Sequence, residues 1–370
     1  MKILLIISIL WLFISLKSQN FITPQVLTTL PSDLNENSGL VNLDGEIWTH
    51  IDNGGKDELY RIDKENGNIL RTVKVHNANN VDWEDIASDE NYVYIGDIGN
   101  NDGSRTNLRV YRISREQLFS SNDVDAEKIE FIYSDQFSFE PNYHNTNFDC
   151  EALSCLNSKL YLFTKNWIDK QTSVYELTIE PGISVAQKIS TFNIGCLVTG
   201  AEIIPHLNTL LLVGYNESGG TYTWVFTSFS GNDFFGGDQT KLIWTSLTQA
   251  EGICYAGDLA AYAATEKYAG ELDPTLYFID LSEYMIREEQ KSHPEIILRV
   301  FDGTLIIETF NGNIYTGVIK FFSVGGMELR DLSFTNKNRI EMPLNFPAGI
   351  YIIQCITGDF VFSKKIILTR

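Results

Sequence analysis

Between Ser38 and Ile279 the apolar positions fall in short runs that repeat in a fixed order five times. Each copy opens with a small or acidic residue and an apolar pair: Ser38-Gly39-Leu40, Glu84-Asp85-Ile86, Glu151-Ala152-Leu153, Glu202-Ile203-Ile204 and Glu251-Gly252-Ile253. After roughly 10–14 residues, a spacing suited to a hairpin, a second apolar run ends in polar residues. These runs are Trp48-Thr49-His50, Tyr94-Ile95-Gly96-Asp97, Leu162-Phe163-Thr164-Lys165, Leu212-Val213-Gly214-Tyr215 and Ala263-Ala264-Thr265-Glu266. A third run sets an aromatic among apolar neighbours, at Tyr60, Tyr111, Tyr175, Trp224 and Tyr277. Its regular place marks packing between repeats rather than a sugar-stacking set. Outer strands are predicted at Ile69–Val75, Lys128–Ser134, Ala186–Ile194 and Thr240–Ser246, but none follows Ile279. Pro24–Leu30 resembles the first of them, so it is expected to complete the fifth copy and close the open edge.

Repeats of this length, each holding several short strands, predict an all-β chain built as a five-bladed β-propeller over 19–285. A six-bladed ring would need a degenerate copy hidden in Gln117–Asn147. Upstream, Met1-Lys2 precedes an apolar run from Ile3 to Leu16. That run is too short to span a bilayer and reads as a secretory signal peptide over 1–18. No second segment is long enough to cross a membrane. A charged linker over 286–295 leads to short alternating strands, with turns at Gly325-Gly326 and Pro347-Ala348-Gly349. These predict a small β-sandwich over 296–370.

The net charge of −20 argues against nucleic acid, which needs a basic footprint, and suits bound cations. Five cysteines, Cys150, Cys155, Cys196, Cys254 and Cys355, follow no metal spacing and read as buried free thiols. The glycine-rich stretches Asn53-Gly54-Gly55 and Gly96 to Gly103 lead into no helix with a Lys-Ser/Thr, so they read as turns rather than phosphate loops.

The run FPAGIYIIQCITGDFVFSKKIILTR, Phe346 to Arg370, resembles the terminal motif of the C-terminal sorting domain of Bacteroidetes proteins exported by the type IX (Por) secretion system. The matching positions are Pro347, Gly349, Tyr351, Gly358, Lys364 and Lys365, and Ile319 to Asp331 resembles an upstream element of that family. The usual Pro-Asn-Pro opening is absent; His293-Pro294-Glu295 stands in its place. The resemblance implies passage through the outer membrane by the type IX machinery, then release or attachment at the cell surface. Val81 to Ile113 is similar to repeats of uncharacterised secreted bacterial propeller proteins, a likeness that carries no activity.

In a propeller the starts of the inner strands and the ends of the second strands share one mouth of the central channel. There the repeats place Glu84, Glu151, Glu202 and Glu251. Around them come Asp97 and a binding face of His50, Asp52, Asn100, Lys165, Asn166, Asn216, Glu266 and Lys267. Like charges gathered near an axis raise one another's pKa and call for a cation, a lysine or a proton. Oxygen ligands suit Ca²⁺, either on the axis or in the Asp97–Asp102 loop. With His50 the one nearby imidazole, Zn²⁺ fits poorly. Equally, the glutamates suit a structural role, accepting backbone N–H groups or pairing with Lys165 or Lys267. The expectation is an exported binding or scaffold protein for an unidentified extracellular ligand. The alternative is a metal-dependent propeller hydrolase, phytase-like or lactonase-like, using axial carboxylates.

Overall fold

The computed structural model describes residues 20–52, 56–268, 272–285, 296–301, 304–309, 315–323, 327–344, 346–357 and 360–368. The expected leader, the Asn53-Gly54-Gly55 turn, the linker, the Gly325-Gly326 turn and Gly358 lie outside them. Contacts divide the chain into two compact units, Met1–Met285 and Ile286–Arg370.

The first unit begins with β1 (Asn20–Ile22) and β2 (Gln25–Thr29). An antiparallel meander follows: β3 (Asn37–Leu43), β4 (Glu46–Ile51), β5 (Glu58–Ile62) and β6 (Ile69–His76). A second meander comprises β7 (Trp83–Ser88), β8 (Tyr92–Asp97) and β9 (Arg109–Ser114). After helix α1 (Arg115–Ser120) and the short β10 (Asp123–Asp125), β11 (Glu127–Tyr133) completes it. The third holds β12 (Cys150–Leu156), β13 (Lys159–Thr164), β14 (Thr172–Thr178) and β15 (Gly182–Phe192). The fourth holds β16 (Leu197–Ile204), β17 (Thr209–Tyr215), β18 (Gly220–Thr227) and β19 (Asp238–Leu247). The last has three strands of its own, β20 (Ala250–Gly257), β21 (Ala260–Thr265) and β22 (Thr275–Asp280), before helix α2 (Ser282–Met285). Its fourth strand is β2, antiparallel to β22 with Gln25 opposite Phe278 and Thr29 opposite Thr275. The N-terminal strand therefore closes the array as expected.

The first strands of the meanders touch in a circuit, β3 to β7 to β12 to β16 to β20 and back to β3. This is a propeller-like, all-β arrangement. The apolar cores lie between neighbouring meanders rather than within them. Trp48 and Leu59 pack on Trp83 and Tyr111; Tyr94 and Val110 share a cluster with Leu162 and Tyr175. Phe163 meets Phe226, Val225 meets Ile253, and Tyr60 meets Tyr262. Each of the five third-strand aromatics sits in or against one of these clusters. All five cysteines are buried and free.

Three parallel pairings were not legible from the repeats. β1 lies on β19, β10 on β6, and β11 on β15. The last of these joins the second and third meanders into one eight-stranded sheet. Such additions cover outer edges that would otherwise offer unpaired backbone groups.

A β-bulge interrupts every first strand near its start. In four of them the residue left out of the pairing is Glu84, Glu151, Thr199 or Glu251. The fourth copy is thus displaced from its expected position: its equivalent of the glutamates is Thr199, not Glu202. The apolar pairs Leu197-Val198 and Ile203-Ile204 frame both choices, and aligning on an acidic residue selects the wrong one. In β3 the bulge falls at Gly39, φ +64°, where a Cβ would stand 2.7 Å from His50 Nε2 and 3.0 Å from Asp85 Cα. Only glycine fits that left-handed, crowded position.

The second unit comprises β23 (Ile296–Phe301), β24 (Thr304–Thr309), β25 (Tyr315–Ser323), β26 (Glu328–Lys337), β27 (Arg339–Pro343), β28 (Gly349–Thr357) and β29 (Phe360–Leu368). Strands order as β23-β24-β27 and β26-β25-β28-β29. Leu305, Ile307 and Met342 of the smaller sheet share a core with Ile319, Phe321 and Ile353 of the larger, which makes a two-layer sandwich.

Candidate functional site

The bulges turn Glu84, Glu151 and Glu251 out of the ladder and towards one open cavity of about 160 Å³. Ser38, Asp52, Asn101, His144, Lys165, Trp167, Tyr215 and Glu266 complete its lining. Each wall comes from a different meander, so the ring geometry, not local sequence, assembles the site.

Two halves differ in chemistry. On one side, carboxylate oxygens of Asp52, Asp82 and Glu84 all lie within 4.8 Å of one another. Burial lifts the Glu84 carboxyl well above its ordinary value, with Glu151 and Asp52 adding repulsion. Asp82 is lifted to about 6, chiefly by burial, against the pull of Arg105. On the other side Lys165 Nζ donates to Glu151 Oε2 at 2.6 Å and to the Tyr215 hydroxyl at 3.1 Å. Burial alone would lower that ammonium's pKa, but Glu151, Tyr215, Glu251 and Asp149 together outweigh it and hold Lys165 well above its ordinary value. Trp167 offers its ring to the same ammonium, 5.1 Å away. His144 stacks on Trp167 at 3.5 Å between centroids, and Tyr143 on His144 at 3.8 Å.

Glu84 and Glu251 are only 4% and 7% exposed, yet neither carboxylate has a hydrogen bond or ion pair among the described residues. A buried, partnerless carboxylate costs several kcal/mol if ionised. Burial accordingly raises Glu251 well above its ordinary range, as do Glu266 and Glu151. Glu266 is pushed to about 7 by burial and then by Glu36.

Several expected site residues stand elsewhere. Asp97 is fully buried but spent on arginines, Arg105 at 2.7 Å and Arg109 at 3.6 Å. Arg105 also donates to Gly99 O, while Asp102 accepts from Ser104. The Asp97–Asp102 loop is therefore filled by a guanidinium, not arranged for Ca²⁺. His50 is packed edge-on against Trp83, and burial lowers it to about 4, so it is a neutral core imidazole. Asn100 anchors its loop through Phe148 O and Arg105 N. Asn166 bonds Thr164 and Asp169, and Asn216 ties a turn through Ser218 and Gly220. Lys267 is exposed and outside the cavity lining.

Glu202 is not among the cavity-lining residues; it accepts from Tyr255 N and its charge bears on Asp85. Asp85 is a buried staple, its carboxylate accepting backbone N–H groups of Leu153 at 2.8 Å and Ala201 at 3.1 Å. One side chain of the second meander thus holds the first strands of the third and fourth.

Asp82, Asn101, His144, Trp167 and Tyr215 were missed. Asp82 lies two residues before Glu84, and Trp167 two after Lys165, so both were within reach of the motif. His144 comes from a long connection with no repeat equivalent.

No family model and no curated protein matches the chain. Solved structures with some likeness include the PQQ-bound aldose sugar dehydrogenase of Streptomyces coelicolor, at 12% identity and TM-score 0.42, covering 70% of this chain and 98% of that one. U3-55K is similar at 9% identity and TM-score 0.37, over 71% of this chain and 100% of its own. A putative 6-phosphogluconolactonase from Bacteroides uniformis shows 12% identity and TM-score 0.30, over 86% and 89%.

Proposed function

We propose that the chain is an exported cell-surface binding protein: a five-bladed β-propeller that holds a hard divalent cation in its axial cavity, followed by a type IX sorting domain. The observation that carries the cation is Glu84, nine-tenths buried, without a partner among the described residues, and within 4.8 Å of the carboxylates of Asp52 and Asp82. Three carboxylates with the amide of Asn101 nearby form an all-oxygen set, which suits Ca²⁺ better than Zn²⁺. The sorting assignment is supported by the Phe346–Arg370 motif, in which the Tyr351 hydroxyl donates to Pro347 O at 2.8 Å and so braces the Pro-x-Gly-x-Tyr stretch. Lys365 of the same motif is exposed. A hydrolase would use the same cation. Binding is preferred because the cavity's lysine is already spent on Glu151, leaving no second cation there for a substrate anion among the described residues.

The test is calcium titration of chelator-treated protein. At a hundredfold Kd the ion contributes about 2.7 kcal/mol, which raises the melting temperature by roughly 5–10 °C in a domain of this size. Glu84→Gln should abolish the shift, and Glu202→Gln should leave it intact. No shift with millimolar Ca²⁺ or Mg²⁺ would remove the cation from the proposal.

A further inference from the structure

A second cavity, of about 550 Å³, lies beside the connection 134–149 and is lined from the second and third meanders. That connection is long for a loop without secondary structure, a class that is usually functional. It stands between the two cavities. Its His144 turns to the acidic one, while Asn142 and Asn145 line the larger. The backbone beneath them is fixed: Asn142 N donates to Asp102 O at 2.8 Å and Asn145 N to Asn142 O at 3.0 Å.

The chemistry of this lining is specific. The side-chain amides of Asn142 and Asn145 have no hydrogen-bond partner among the described residues. Gln136, 6% exposed, donates through Nε2 to Gly103 O at 2.8 Å, and its carbonyl oxygen has no protein donor among the described residues. Amides both donate and accept, the pairing that a polyol hydroxyl reciprocates. Phe148 and Tyr175 supply an apolar wall, and the Tyr175 hydroxyl is tied to Asp135 at 2.9 Å. Charge disfavours an anion. The lining's lysine, Lys188, is paired with Asp135 at 3.2 Å, and the lining also carries carboxylates from Asp102, Glu140 and Asp169. A volume within the usual range for small-ligand sites, uncommitted amides and an apolar wall together fit a neutral, hydroxyl-rich molecule with one apolar face.

We infer that this groove is a binding site for a neutral saccharide, independent of the cation in the axial cavity. The full chain would be titrated calorimetrically with neutral tetrasaccharides of glucose, mannose and xylose at millimolar concentration. At least one should bind, and Asn142→Ala with Asn145→Ala should weaken it about tenfold or more. Both positions are exposed, so the melting temperature should not move. Glu84→Gln should leave saccharide binding unchanged, which separates this site from the axial one. Absence of binding by every neutral sugar would overturn the inference. So would undiminished binding in the double variant, or capture of acidic sugars or extended peptides in place of neutral saccharides.

Discussion

Replacing Glu202 by Gln gives the sharpest test of how this propeller-like ring tolerates buried charge. Burial holds the Glu202 carboxyl at about 8, against an ordinary 4.5, with Tyr255 N a weak opposing donor at 3.5 Å. The group is therefore neutral in the folded chain and ionised in the unfolded chain between those two values. The unfolded state binds fewer protons there, so stability falls as pH rises from 4.5 through 8 and stays at the lower level above it. The full difference corresponds to roughly 5 kcal/mol. Glu202 is half-buried rather than sealed, and solvent screening reduces the figure to about 2–3 kcal/mol. Gln keeps the shape and cannot ionise. Urea denaturation of chelator-treated protein at pH 4, 6 and 9 (about the lower bound, middle and upper bound of this window) should show a gain near zero at the lowest pH, growing to its maximum at the highest. A pH-independent difference between variant and parent would refute the assignment of that window to Glu202.

Two further outcomes check the architecture. Deleting 20–31 removes both β1 and β2, which pair with β19 and β22. It should lower stability by several kcal/mol, well beyond trimming a loose terminus, as measured by urea midpoint. Removing Phe346–Arg370 should leave the melting transition of the first unit in place while the chain accumulates in the periplasm. Normal release of that truncated chain would dismiss the sorting proposal.

The repeats were legible because each meander buries its apolar residues against its neighbour, so the same periodicity had to recur. Ring closure by β2 was legible for a related reason: the fifth copy lacked an outer strand and an unpaired apolar segment stood upstream. The parallel partners β1 and β10 are three residues each, too short for periodicity to register. Within the site, Glu84, Glu151 and Glu251 could be placed because a bulge fixes their position in each first strand. Glu202 misled because an acidic residue between apolar neighbours looks the same whether it sits at the bulge or three residues past it. Asp97 and His50 were expected at the mouth, but no sequence pattern shows that Arg105 fills one loop or that Trp83 packs on the imidazole. Tyr215 ends the second run of its repeat and Trp167 follows Lys165 by two, but that both line the cavity is a product of tertiary packing.

Closure by β2 also sets a timetable for folding. β2 is synthesised long before its partner and can pair only when Thr275–Asp280 has been made, so the fifth meander cannot be completed until the first unit is almost wholly synthesised. Contacts this distant in sequence are slow to form. Throughout that interval β2 has nothing to pair with. The composition of β2, Gln25-Val26-Leu27-Thr28-Thr29, with Gln25, Val26 and Thr29 exposed even after docking, lets it wait in water. A chain interrupted before residue 275 would carry the first four meanders with β20 and β21 and would still leave β2 without its partner.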